Sequence, residues 1–205
     1  MLIDELKNIA RNNGIVGAGG AGFPAYAKMT DKADTVILNC VECEPLLKLH
    51  RQLLATHTEE IIQMLDEVRE SFGAKEAVIG IKSEYVTTIK AVEEVLGDFP
   101  KVRICALKPA YPMGDEVVLI YEATGRVIQP GGLPIDENVV VYNVETMYNL
   151  YRAVRLDIPV TNKLVSIVGE IDHPLTVRVP LGTTVKEAIS LAGKVTVEDP
   201  VYVMG

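Results

Sequence analysis

Three pieces decide the fold: Thr35-Val-Ile-Leu38, then Thr58-Glu-Glu-Ile-Ile-Gln-Met-Leu-Asp-Glu-Val-Arg-Glu-Ser-Phe-Gly73, then Ala77-Val-Ile-Gly-Ile81. The outer two are unbroken apolar runs of strand length, the pattern of strands buried on both faces. The middle piece sets Ile61, Ile62, Leu65 and Val68 on one helical face and ends at Gly73. Strand, helix and strand at this spacing form a crossover unit of a parallel sheet.

The same alternation continues outward. Residues 2–11 place Leu2, Ile3, Leu6, Ile9 and Ala10 at helical spacing before Asn12-Asn13-Gly14 stops them. The first strand lies within Asp34–Asn39, and Pro45 suits the first turn of a helix after it. Ser83 is expected to cap a helix running through Leu96 and closed by Gly97. Val102–Leu107 is a strand, Asp115–Ala123 a helix ended by Thr124-Gly125, Val139–Val141 a strand and Val144–Arg155 a helix. The expected class is therefore α/β, a mostly parallel sheet with crossover helices.

After about Asp157 the pattern changes. Pro159–Lys163 reads as a connector, and Leu164–Glu170 and Leu175–Val179 as two strands about the turn Ile171-Asp-His-Pro174. A helix over Thr184–Ala192 and a strand beginning at Val201-Tyr-Val203 complete a small β-grasp module. Residues 1–158 are read as the α/β domain and 159–205 as this module, truncated inside its last element.

Composition narrows the function. With 48% hydrophobic and 23% charged residues, the 205-residue chain has globular rather than disordered character. A net charge of −8, from 20 basic and 28 acidic residues, argues against a general nucleic-acid binder, which needs surplus cations to displace counterions. It leaves phosphate ligands open, because a backbone cradle needs no net positive charge. No apolar run approaches the roughly 20 residues that span a bilayer. The charged start Met1-Leu-Ile-Asp-Glu-Leu-Lys7 does not read as a secretory signal, and three cysteines fit reduced thiols in the cytoplasm.

Parallel α/β folds bind ligands where strands lead into helices, and the chemistry-bearing sequences sit in such loops. Gly17-Ala-Gly-Gly-Ala-Gly22 satisfies G-x-G-x-x-G but follows a helix, so the usual dinucleotide fold assignment is rejected. Its glycines still let backbone N–H groups converge on a flat ring or a phosphate. Lys28 follows within reach and could neutralise a phosphate or a reduced flavin. Asn39-Cys-Val-Glu-Cys-Glu-Pro45 follows a buried strand. A zinc site can be drawn from Cys40, Cys43, His50 and His57, and a redox pair from the two cysteines, but the acidic neighbours raise a thiol pKa. The better ligands are Asn39, Glu42 and Glu44, which offer an amide and carboxylates. Tyr111-Pro-Met-Gly-Asp-Glu116 puts Asp115 and Glu116 in a helix first turn, where the dipole favours carboxylates in any protein. In Tyr142-Asn-Val-Glu-Thr146, Asn143 caps a helix whose free N–H groups could hold a phosphate.

These four sequences, in this order, resemble the RnfC-type electron-transport flavoproteins, a family similar to the NADH-binding flavoprotein subunit of respiratory complex I. Within it, Glu42-Cys-Glu-Pro-Leu-Leu-Lys48 and Tyr111-Pro-Met-Gly-Asp-Glu-Val117 look most like the cobalamin-reductase (PduS) branch, with the PrdC-type carriers another candidate. The resemblance covers the whole chain and makes the second module a soluble-ligand-binding β-grasp (SLBB) domain. It implies FMN contacts from Gly17, Gly19, Gly20, Lys28, Asn39, Glu42, Asp115, Asn143 and Thr146. It implies NAD(H) contacts from Phe23, Glu44 and Glu116, with no catalytic side chain. Two departures stand out: the complex I relative has an arginine where this chain has Ala18, and an acid where it has Val41. Both changes remove polar contacts, and they motivate an alternative in which the chain is a non-catalytic docking module with a degenerate pocket. The resemblance further implies hydride transfer from NADH to FMN and electron exit to iron–sulfur clusters. Cys40, Cys43 and Cys105 cannot supply the four-cysteine sets those clusters need, so the clusters are expected downstream of this segment. Implied partners are subunits of an electron-transport complex or a reductase acceptor, with no nucleic acid. Membrane contact would come only through such partners, at the inner face.

Overall fold

The computed structural model describes residues 1–204. Helix α1 (Ile3–Asn12) leads through the glycine loop into strand β1 (Thr35–Cys40), followed by α2 (Leu49–Thr56), α3 (Thr58–Phe72) and β2 (Glu76–Lys82). Then come α4 (Val86–Val95), β3 (Val102–Leu107), α5 (Glu116–Thr124), β4 (Val139–Asn143) and α6 (Val144–Leu156). The second module contributes β5 (Asn162–Ile167), β6 (Leu175–Pro180) and α7 (Val185–Leu191).

The first four strands form one sheet in the order β3-β2-β1-β4, every pair parallel. Both faces are covered, and the strand pleat sorts the side chains. On one face Val36, Leu38 and Cys40 of β1, Ala77, Ile79 and Ile81 of β2, and Val140 and Tyr142 of β4 pack with α1, α3 and α6. On the other, Ile37, Val78, Val139 and Val141 meet Leu119, Ile120 and Ala123 of α5. Gly80 leaves room for α5, since a Cβ there would lie 2.5 Å from Leu119 Cδ1.

The order places successive strands outward on one side of β1 and returns β4 to the other. The crevice at the carboxyl ends of β1 and β4 is thus the topological switch point, where such sheets take ligands. Asn39 and Asn143, two of the residues singled out from the sequence, are register partners across it.

Local expectations fail in three places. Pro45 does not start a helix: Glu44 O accepts Leu47 N at 3.2 Å in a turn, and α2 begins at Leu49. Ser83 does not cap α4, because its N–H bonds Leu107 O at 2.8 Å and prolongs the β2–β3 pairing, leaving the cap position to Tyr85. Val201–Val203 is not a strand.

The second module is an antiparallel β5–β6 ribbon packed on α7 through Ile167, Ala188 and Ala192. Thr184 caps α7 with Glu187 in a reciprocal capping box. No helix of the described residues is long and apolar enough to cross a membrane.

Candidate functional site

The glycine loop is drawn closed at its base. Gly17 N donates to Phe23 O at 2.7 Å, and Val16 bridges Pro24. Gly20 turns at φ +75°, a conformation that glycine adopts without strain. The loop is then fastened to the far end of the sheet: Ala18 N donates to the buried Thr146 Oγ1 at 2.9 Å. A Cβ on Gly19 would sit 3.2 Å from Asn143 Nδ2, so bare backbone approaches the β4–α6 junction.

The β1–α2 and β3–α5 loops are joined in the same way. Asn39 Nδ2 donates to Gly114 O at 3.0 Å, while its Oδ1 accepts Val41 N at 3.0 Å. A Cβ on Gly114 would lie 2.4 Å from Val41 O and 2.8 Å from Cys43 Sγ. Lys28 Nζ crosses to Glu116 Oε1 and to Val141 O, each at 3.4 Å, and lies 5.9 Å above the exposed Phe23 ring. Residues from the four loops therefore meet over the ends of β1 and β4.

Glu42 is the electrostatic centre of this rim. It is buried, with Oε1 accepting His50 N at 2.9 Å. Its Oε2 has no hydrogen-bond partner, and the nearest cation, Arg51 Nε, is 3.7 Å away. Burial pushes the carboxyl above its ordinary range, against the His50 amide and Arg51. Arg51 in turn lies over the Tyr85 ring at 4.4 Å.

The predicted residues do not all play one part. Asp115 caps α5, its Oδ1 accepting Val117 N and Val118 N, which is the ordinary use of a carboxylate at a helix start. Asn39 spends its amide on the two loops it ties, and Thr146 spends its hydroxyl on the glycine loop. Glu44 is exposed on the turn before α2. The drawn zinc site is not assembled: Cys40 is buried, and burial drives its thiol pKa strongly upward. His57 stacks on Tyr148 at 4.3 Å, His50 faces Asn143, and no group of three or more His, Cys, Asp or Glu among the described residues is placed to hold a metal.

Two residues of this region have parts that the sequence reading missed, His50 having been weighed there only as a zinc ligand and Glu145 not at all. The His50 ring lies against Asn143, with Nδ2 of Asn143 3.1 Å from Nε2. Buried Glu145 takes Leu164 N at 3.1 Å and pairs with Lys163, tying the second module to the first turn of α6. An acid inside the Asn-Val-Glu-Thr sequence was the available signal for Glu145, but the helix dipole already accounts for an acid there.

A parallel sheet with four loops converging at its switch point, plus a short β-ribbon module, defines a nucleotide-type α/β protein with an appended domain. The Nuo51 FMN-binding domain model matches residues 10–152 and the SLBB domain model residues 164–200. The chain belongs to the Nuo51 FMN-binding domain family. It is 40% identical over 200 residues to the cobalamin reductase PduS of Citrobacter freundii, covering 98% of this chain and 44% of that protein. It is 31% identical over 195 residues to a component of the Na(+)-translocating ferredoxin:NAD(+) oxidoreductase complex of Acetobacterium woodii, covering 93% of this chain and 44% of that protein. The chain thus spans less than half the length of these relatives. The crystal structure of an air-oxidised NAD+-reducing [NiFe]-hydrogenase superposes with a TM-score of 0.77 at 24% identity, over 93% of this chain and 39% of that one, a likeness of fold.

Proposed function

We propose that the crevice over β1 and β4 binds FMN with NAD(H) beside it, and that the whole protein is an NADH:acceptor oxidoreductase. The observation that carries this is the bare glycine backbone brought against Asn143 at the β4–α6 junction, with Lys28 reaching across the same crevice to Glu116 and Val141 O. Behind it, Glu42 is buried with Oε2 unpartnered and 3.7 Å from Arg51 Nε, a polar group that is costly to bury. The residues present fit FMN: Gly17, Gly19 and Gly20 give a Cβ-free wall, Asn143 and the first turn of α6 suit the polar tail, and Lys28 supplies a cation. Asn39, Thr146 and Asp115 act on this reading chiefly by fixing the loops. Phe23, Glu44 and Glu116 line the approach for the nicotinamide nucleotide.

FMN, when bound, supplies the chemistry that accepts a hydride and releases electrons singly. The protein's part is to orient the rings and to hold fixed dipoles around them. Onward electrons would go to iron–sulfur clusters outside residues 1–205, within a complex of partner subunits in the cytoplasm or at the inner membrane face. On this reading residues 1–158 are the FMN/NADH-binding domain and 159–205 the soluble-ligand-binding β-grasp domain. The test is reconstitution with FMN, desalting, and addition of NADH without oxygen. Retained flavin absorbance that bleaches is expected; a colourless desalted protein overturns the reading.

A further inference from the structure

We propose that His50 is a positioning residue for this site, its ring accepting the Asn143 side-chain amide and so fixing which way that carboxamide faces the glycine loop. The proposal rests on the flavin reading and goes one layer beneath it. The two ends of a carboxamide make opposite demands, one an acceptor and the other a donor. In Asn143 the acceptor end is committed: Oδ1 takes Glu145 N at 2.8 Å and caps α6. That leaves Nδ2 facing the His50 ring, 3.1 Å from Nε2 and 3.5 Å from Nδ1. A donor needs a bare nitrogen opposite it, so Nε2 is unprotonated and the ring proton sits on Nδ1. The same Nδ2 is the atom that a Cβ on Gly19 would meet first, at 3.2 Å.

The charged groups around the ring agree with a neutral histidine. The Lys163 cation of β5 acts on the ring and is itself paired with Glu145 of α6, while Glu42 takes the His50 backbone N–H and is paired with Arg51 of α2. Burial and then the Lys163 cation push the His50 ring down to about 4. A protonated ring would set donor against donor. The Asn143 carboxamide would then be driven to turn over, taking Oδ1 off Glu145 N and uncapping α6 beside the glycine loop.

The experiment is an FMN titration of the flavin-free protein, followed by flavin fluorescence, for wild type, His50→Gln and His50→Leu. Ring 15N spectra of the flavin-free wild type from pH 8 to 4 accompany it. Leu removes the acceptor, so affinity is expected to fall about tenfold; Gln offers an oxygen and stays within about threefold. The ring should show a protonated Nδ1 and a bare Nε2 to below pH 5. Unchanged affinity in His50→Leu, equal loss in His50→Gln, or a ring that titrates near pH 6.5 each overturns the proposal. If wild type takes up no FMN, the flavin reading fails, and the spectra alone still decide whether His50 holds Asn143.

Discussion

The Thr146 hydroxyl accepts the backbone N–H of Ala18 across 128 positions of sequence, and this one bond joins the glycine loop to the first turn of α6. Thr146 is buried and Ala18 half-buried, so removing the hydroxyl leaves the Ala18 N–H without its protein acceptor. Thr146→Val should cost about 1–2 kcal/mol of stability by urea unfolding, and Thr146→Ser should recover most of it. FMN affinity should fall in the valine variant and return in the serine variant. Equal stability of all three would show that the loop is held elsewhere.

Gly114 is fixed by space. Its missing Cβ would lie within 2.4 Å of Val41 O and 2.8 Å of Cys43 Sγ, the first of these being rigid backbone. Gly114→Ala must push the β1–α2 and β3–α5 loops apart and strain the Asn39 to Gly114 bond. The expected cost is about 1–3 kcal/mol, or roughly 2–4 °C of melting temperature per kcal/mol at this size. Gly97→Ala is the matched control. Nothing lies within 4 Å of a Cβ there and the residue is not in the left-handed region, so that variant should be neutral or slightly stabilising. Comparable melting of Gly114→Ala and Gly97→Ala would contradict the packing argument.

Glu145 links the two modules. Its carboxylate is buried, takes Leu164 N and pairs with Lys163, whose side chain is partly exposed. Lys163→Met leaves a buried charge without its cation, which should cost about 1–3 kcal/mol, less than for a fully buried pair. Limited proteolysis should cut the 157–161 connector faster in Lys163→Met than in wild type. Glu145→Gln combined with Lys163→Met should be less damaging than the sum of the two single changes. An unchanged cutting rate would mean that the pair does not hold the second module.

The residues legible in the sequence are those whose signal is local. The parallel sheet was readable because Thr35–Leu38 and Ala77–Ile81 are apolar without a break, and both prove buried on two faces. The four loops were readable because strand ends carried glycine, amide and acid together. What escaped depends on partners far along the chain: Asn143 is 93 positions from His50, and Lys163 is 18 from Glu145. Spacing rules cannot see either pair. Ser83 was misread for a related reason, since its capping preference yields to a backbone bond with Leu107 on the neighbouring strand. Asn39 and Asp115 were found, but their type could not reveal that the protein's own backbone takes their polar atoms.

Glu42 gives the pH dependence a sign. Burial raises its folded pKa above the unfolded value of 4.5, so between those two values the folded chain holds more protons than the unfolded one. The stabilisation that protonated Glu42 provides is fully present below 4.5 and is lost as pH rises through the folded pKa. As pH rises through the folded value the carboxylate ionises, and in that form it works against folding of the flavin-free protein. Glu42→Gln keeps an oxygen for His50 N and removes the charge. The flavin-free variant should unfold at higher urea than wild type at pH 8, the gap closing as pH falls toward 4.5, while its affinity for FMN drops. A variant less stable than wild type at pH 8 would show that Arg51, 3.7 Å away, repays the desolvation. The buried carboxylate would then be a stabilising ion pair rather than a cost to the fold.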